Sequence, residues 1–210
     1  MGLAISVGYL DEMRRCDEEG LEHFQTQFNK INAVLADNGL PPHEEPVTLP
    51  KMDWRGASGG FPYGFLHNLR RAYCCVVEGV EMRTGDVTKA DDAFILDVTV
   101  TIMDSHLLSH SDCEGYYVPM PLNWPLCDNR LPGGFLGSSL ELKSELIRVA
   151  PALGITLDGD TLSDAEAARL VQIDRDEADV TPLWRECLVW FSLFEACRLS
   201  IAHNTLIVFH

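Results

Sequence analysis

The chain has 210 residues, 46% of them apolar and 23% charged, a globular balance that lets a chain of this size bury roughly 70% of its unfolded surface without staples. Its charge is less ordinary: 16 Lys and Arg stand against 32 Asp and Glu, a net −16. A field of that sign repels phosphate backbones and anionic membranes and draws in basic proteins. Nucleic acid and membrane are therefore excluded as partners, and a basic protein is expected.

Seven cysteines form no C-x-x-C pair. Cys74-Cys75, Cys187 and Cys197 lie in apolar helical stretches, which points to reduced thiols rather than a disulfide framework. The opening Met1-Gly-Leu-Ala-Ile-Ser-Val-Gly8 lacks the basic region of a signal peptide, and the apolar run 188–194 is too short, with charged flanks, to span a bilayer. The expectation is one cytoplasmic domain, residues 1–210.

In chain order, Leu3 to Val7 reads as a strand. After the acidic start Asp17-Glu18-Glu19, residues Leu21, Phe24, Phe28, Ile31 and Leu35 form one apolar stripe of a helix, with Gly39 as its cap. A proline-punctuated loop follows from Leu40 to Pro50. The glycine-rich Gly56-Ala-Ser-Gly-Gly60 leads into a second helix, about Phe65 to Glu78. Its spacing fits neither phosphate-binding glycine motif and no lysine follows, so a tight turn is expected.

Phe94 to Ile102 alternates as a strand would, yet no turn residue interrupts it before His110. A helix capped at Asp91-Asp92 and running to His110 is the reading adopted. Leu122 to Gly134 is a Pro/Gly/Asn-rich loop. Ser138 or Ser139 caps a helix carrying Leu142 and Leu146, a further helix lies within 160–174, and Asp174, Asp176, Glu177 and Asp179 form a solvated acidic turn. Thr181-Pro182 opens a long helix to about His203, apolar nearly all round, and 206–209 closes the chain as a strand that can pair with Leu3 to Val7. The fold class is α+β, mainly α: five to six helices around a central apolar C-terminal helix, with a few short strands including both termini.

The densest chemistry lies in His106 to Pro119, which holds two histidines, two acids, a thiol and two tyrosines. On a continuous helix His106 and His110 share a face, and with Asp112 and Glu114 they would make an N/O site for a divalent metal and a metal-dependent hydrolase. The set lacks the glutamate of H-E-x-x-H. Cys113, set between two acids that oppose its ionisation, is a poor nucleophile. With no cofactor motif, a binding role is favoured. Its contacts are the aromatic-rich loops and their acids: Trp54, Phe61, Tyr63, Asp112, Glu114, Tyr116 and Tyr117.

The opening MGLAISVG, the segment His110-Ser-Asp-Cys-Glu-Gly-Tyr-Tyr-Val-Pro119 with Leu136-Gly-Ser-Ser139, and the closing 206–209 resemble a group of uncharacterised bacterial proteins of similar length. The resemblance covers most of the chain and brings no activity with it. Small acidic bacterial proteins also look like the immunity proteins of toxin systems. An immunity- or antitoxin-like protein that binds a basic bacterial protein is thus the leading expectation. A metal-dependent hydrolase and a structural or regulatory subunit are the alternatives.

Overall fold

A computed structural model describes residues 2–56, 59–176 and 181–210. Strand β1 (Gly2–Val7) is followed by α1 (Tyr9–Cys16) and α2 (Glu18–Asp37), then by β2 (Gly60–Pro62), α3 (Tyr63–Glu78), α4 (Lys89–Ile102) and α5 (His106–Ser109). Strands β3 (Gly115–Val118), β4 (Leu126–Cys127) and β5 (Phe135–Ser138) precede α6 (Ser139–Val149), α7 (Asp164–Asp176), α8 (Trp184–His203) and β6 (Ile207–Phe209). The α+β, mainly helical class is as expected. The described residues hold eight α-helices rather than five to six, and six strands rather than a few.

Those strands form one sheet in the order β2-β1-β6-β3-β5-β4. Only β3 and β5 run parallel; the two terminal strands do pair, and they do so antiparallel, Ile5 opposite Phe209 and Val7 opposite Ile207. Side chains alternate across a strand, so each strand feeds two cores. Leu3, Ile5, Tyr117, Ile207 and Phe209 face α3, α6 and α8. Tyr116, Val118, Leu136 and Val208 face the other way, onto Phe24, Ile31, Val34 and Leu35 of α2. The result is three layers with the sheet in the middle.

Local chemistry sets the helix ends. Gly39 adopts the left-handed conformation (φ 72°) beyond α2, and Ser138 Oγ accepts from Glu141 N to cap α6. At α4, Thr88 and Asp91 form a reciprocal capping box. Helix α8 starts at Trp184, later than Thr181-Pro182 suggests, because Thr181 Oγ1 accepts from Leu183 N in a turn ahead of it. From Val189 to Cys197 every α8 residue is buried. The acidic turn placed at 174–179 and the middle of the glycine-rich loop lie partly outside the described residues.

Candidate functional site

The expected helix through His110 does not form. Met103 turns left-handed (φ 49°) and ends α4; Ser105 Oγ then accepts from Leu108 N and starts the four-residue α5. His106 opens that turn and His110 follows it in extended conformation, so the two rings do not share a helix face. His106 Nδ1 accepts from Ser138 N (2.9 Å) and its Nε2 donates to Leu122 O (3.1 Å). That pattern requires the neutral imidazole, and burial pushes its pKa down to about 4. His110 lies between the carbonyls of Ser111 (2.9 Å) and Tyr116 (3.1 Å), and burial likewise takes it to about 4. A neutral ring has one N–H, so it donates to one of these carbonyls at a time.

Asp112 Oδ2 meets His67 Nε2 at 2.9 Å, and Glu114 Oε1 accepts from Gly133 N at 3.1 Å. The four proposed metal ligands thus face separate partners, and among the described residues no three His, Cys, Asp or Glu side chains converge to hold a metal ion. The segment is instead a packed joint. Tyr117 stacks on His110 with centroids 4.1 Å apart and donates from its hydroxyl to His106 O. A Cβ on Gly115 (φ 135°) would lie 2.7 Å from the His110 ring, and one on Gly137 would lie 2.3 Å from the Tyr117 ring. Buried Arg70 ties α3 to this joint through the carbonyls of Leu107 and His110.

The expected contact set divides accordingly. Phe61, Tyr116 and Tyr117 are core residues and present no face to a partner. Trp54, Tyr63 and Asp112 are half-buried and Glu114 is exposed. The large apolar side chains that do reach solvent include Met103 (74% exposed) and Trp124 (59%), both missed from sequence. Trp124 has a signal of its own, a single indole between Asn123 and Pro125 in a loop with no apolar period.

Beside His106, segments 102–106 and 122–123 join α3 and α6 around an open cleft of about 720 Å³. Val77, Ile102 and Leu122 supply apolar wall, while Asp104, Glu141, Glu145 and Arg148 bring charge. Glu145 accepts from His106 N (3.0 Å) and Leu107 N (2.7 Å), satisfying the first amides of α5. Burial pushes its pKa up to about 7; the bonds from Ser105, Leu107 and His106 hold it down, and Asp104 adds to the rise. The Arg148 guanidinium lies 5.9 Å from the Tyr73 ring centroid. Among the described residues no ion pair joins Asp104, Glu141 or Arg148 to an oppositely charged side chain.

Many of the bases pair with acids of the same chain, inside and at the surface. Arg71, 1% exposed, bridges Asp91 (3.5 Å) and Glu186 (3.2 Å). Arg55 and Arg198 share Glu195, and Arg130 holds Asp37 and Asp128. Arg83, Lys143, Arg169 and Arg185 each pair with an acid as well. By contrast Glu12, Glu22, Glu44, Asp53, Glu78, Glu81 and Asp97 are exposed, with no ion pair to a described base. The negative field seen in the composition is therefore carried at the surface.

Fold and surface define an acidic, mainly helical α+β protein with unpaired carboxylates turned outward. The chain belongs to the family described as "Putative DNA-mimic protein", whose model matches residues 1–209. No curated protein and no solved structure matches it. The family makes the chain a protein-binding one, in keeping with the expected protein partner. It also corrects the expectation that nucleic acid plays no part. That expectation rested on direct contact between carboxylates and DNA, which repel; a protein that mimics DNA is related to nucleic acid through the proteins that bind it.

Proposed function

We propose that the protein occupies the DNA-contacting face of a basic DNA-binding protein, with surface carboxylates standing where phosphates would. The observation that carries this is an excess of unpaired surface acid: Arg71 is matched inside and Arg130 at the surface by acids of the same chain, while acids such as Glu78, Glu81, Asp97 and Asp104 stand exposed and free of ion pairs to described bases. Proteins that bind DNA gain much of their affinity from Lys and Arg set against phosphates, with release of condensed counterions. A protein that presents separated carboxylates on a rigid scaffold meets the same Lys and Arg. Family membership supports the reading from a second direction.

Glu114 and Asp112, with the half-exposed Trp54 and Tyr63, stay within the proposed contact set. An immunity- or antitoxin-like form of the same function makes the partner a nuclease toxin, whose DNA-contacting face is basic for the same reason. The cytoplasm is the compartment in which such a partner and DNA would meet.

The test is retention of proteins from a cell extract on the immobilised chain, with stepwise salt elution. The expected result is a DNA-binding protein released progressively over about 50–200 mM salt, the range in which phosphate-type contacts weaken most. Retention of no DNA-binding protein, or of one indifferent to salt, would count against the proposal.

A further inference from the structure

Arginine differs from lysine in presenting a planar fork of N–H donors, which suits phosphates and guanine edges alike. A protein that takes the place of DNA must receive that fork somewhere, and the cleft beside His106 has the required chemistry. Its apolar wall at Val77 and Ile102 suits the methylene stem of a long cationic side chain. Tyr73 already carries the Arg148 guanidinium near its ring, so a planar cation fits this surface. Glu145 is committed to the amides of α5, which leaves Asp104 and Glu141 as the carboxylates able to receive a newcomer, against the one resident charge of Arg148.

Two exposed apolar side chains are next in sequence to residues that line the cleft. Met103, which ends α4, is 74% exposed and stands between the lining residues Ile102 and Asp104. Trp124 follows the lining residue Asn123. Exposed Trp and Met are side chains that protein interfaces bury.

We propose that this cleft seats an arginine side chain of the basic partner, its guanidinium on Asp104 and Glu141 and the surrounding partner surface on Met103 and Trp124. The chemistry of the occupant rests on the DNA-mimic reading; the socket rests on the geometry of the cleft.

The full chain, labelled with ¹⁵N, is titrated with acetyl-arginine-amide, and separately with acetyl-lysine-amide and the neutral isostere acetyl-citrulline-amide. Arginine is expected to shift amides at Asp104, Asn123 and Glu141, and the Asp104→Asn/Glu141→Gln variant to bind it about tenfold more weakly. Equal response to lysine, response to citrulline, or shifts spread over the whole acidic surface would overturn the socket. In a second arm, a partner retained by the wild-type chain and displaced by duplex DNA is measured against the same variant and against Trp124→Ala. About tenfold weaker binding supports the proposal. Unchanged binding overturns the cleft and leaves the DNA-mimic reading standing. A cleft that takes arginine while no DNA-binding protein is retained has the opposite meaning: the socket holds and the mimic reading fails.

Discussion

The interior around Arg71 and the cleft beside His106 handle charge in opposite ways. Inside, one guanidinium is enclosed by two carboxylates and by the carbonyls of Gly85 and Asp86, so the charge is matched where it is buried. At the cleft, Asp104 and Glu141 make no ion pair with a described base, and Glu145 is held by backbone amides. The first arrangement serves the fold. The second leaves affinity to be gained from another molecule, because carboxylates that already held a cation would have little to offer an incoming one.

The comparison breaks most sharply at Arg71. Arg71→Met leaves Asp91 and Glu186 buried without their counter-charge, and is expected to cost about 3–5 kcal/mol in urea unfolding. Asp104→Asn, by contrast, should leave the unfolding midpoint nearly unchanged. Equal effects from the two substitutions would erase the distinction between interior and cleft.

Acid tests the joint that His106 and His110 help to build. His106 and His110 are held to about 4 when folded, against an ordinary 6.5. Between those values the unfolded chain binds protons that the folded one refuses, so stability present above pH 6.5 is lost as pH falls toward 4, on the order of 3 kcal/mol for each ring. Glu145 runs the other way. Its folded pKa of about 7 lies above the ordinary 4.5, so its contribution is full below pH 4.5 and is lost as pH rises through 7. Unfolding measured from pH 4 to 8 in wild type, His110→Gln and Glu145→Gln separates these slopes. His110→Gln should flatten the acid limb and Glu145→Gln the neutral one.

Smaller effects follow from packing and from the open surface. Gly137→Ala drives a methyl into the Tyr117 ring and should cost about 1–3 kcal/mol. Glu78→Gln with Glu81→Gln should change stability by no more than about 0.5 kcal/mol. The same pair should make partner binding less sensitive to salt, which a titration of affinity against salt concentration would detect.

Long periodic elements were legible in the sequence. The α2 stripe and α3 follow from side-chain spacing and the Gly39 cap from residue type, while the pairing of the two chain ends was legible only as a possibility. The middle of the sheet was not. Strands β3, β4 and β5 have two to four residues, too few for a period to register, and β3 is buried on both faces so that no alternation marks it. The break after α4 was hidden because Met103, a residue type that seldom turns left-handed, is made to do so without any local turn residue. The amides of α5 are satisfied by Glu145, nearly forty positions away, which no local reading can supply.

The candidate site was legible only in part. Four separate stretches line the cleft, and of its residues only His106 lay among those singled out. Reactive density at 106–119 drew attention to the right neighbourhood for the wrong reason, since most of those side chains hold the joint together. The net charge was plain, but its sign pointed away from nucleic acid until imitation replaced contact as the physical relation.

The account's central claim is that carboxylates here occupy the place of phosphates, and competition tests it most directly. A labelled DNA duplex bound to the retained partner is titrated with the protein while fluorescence anisotropy is followed. The account predicts full release of the duplex, with one molecule of protein replacing it per binding face. A ternary complex in which duplex and protein sit on the partner together would contradict it.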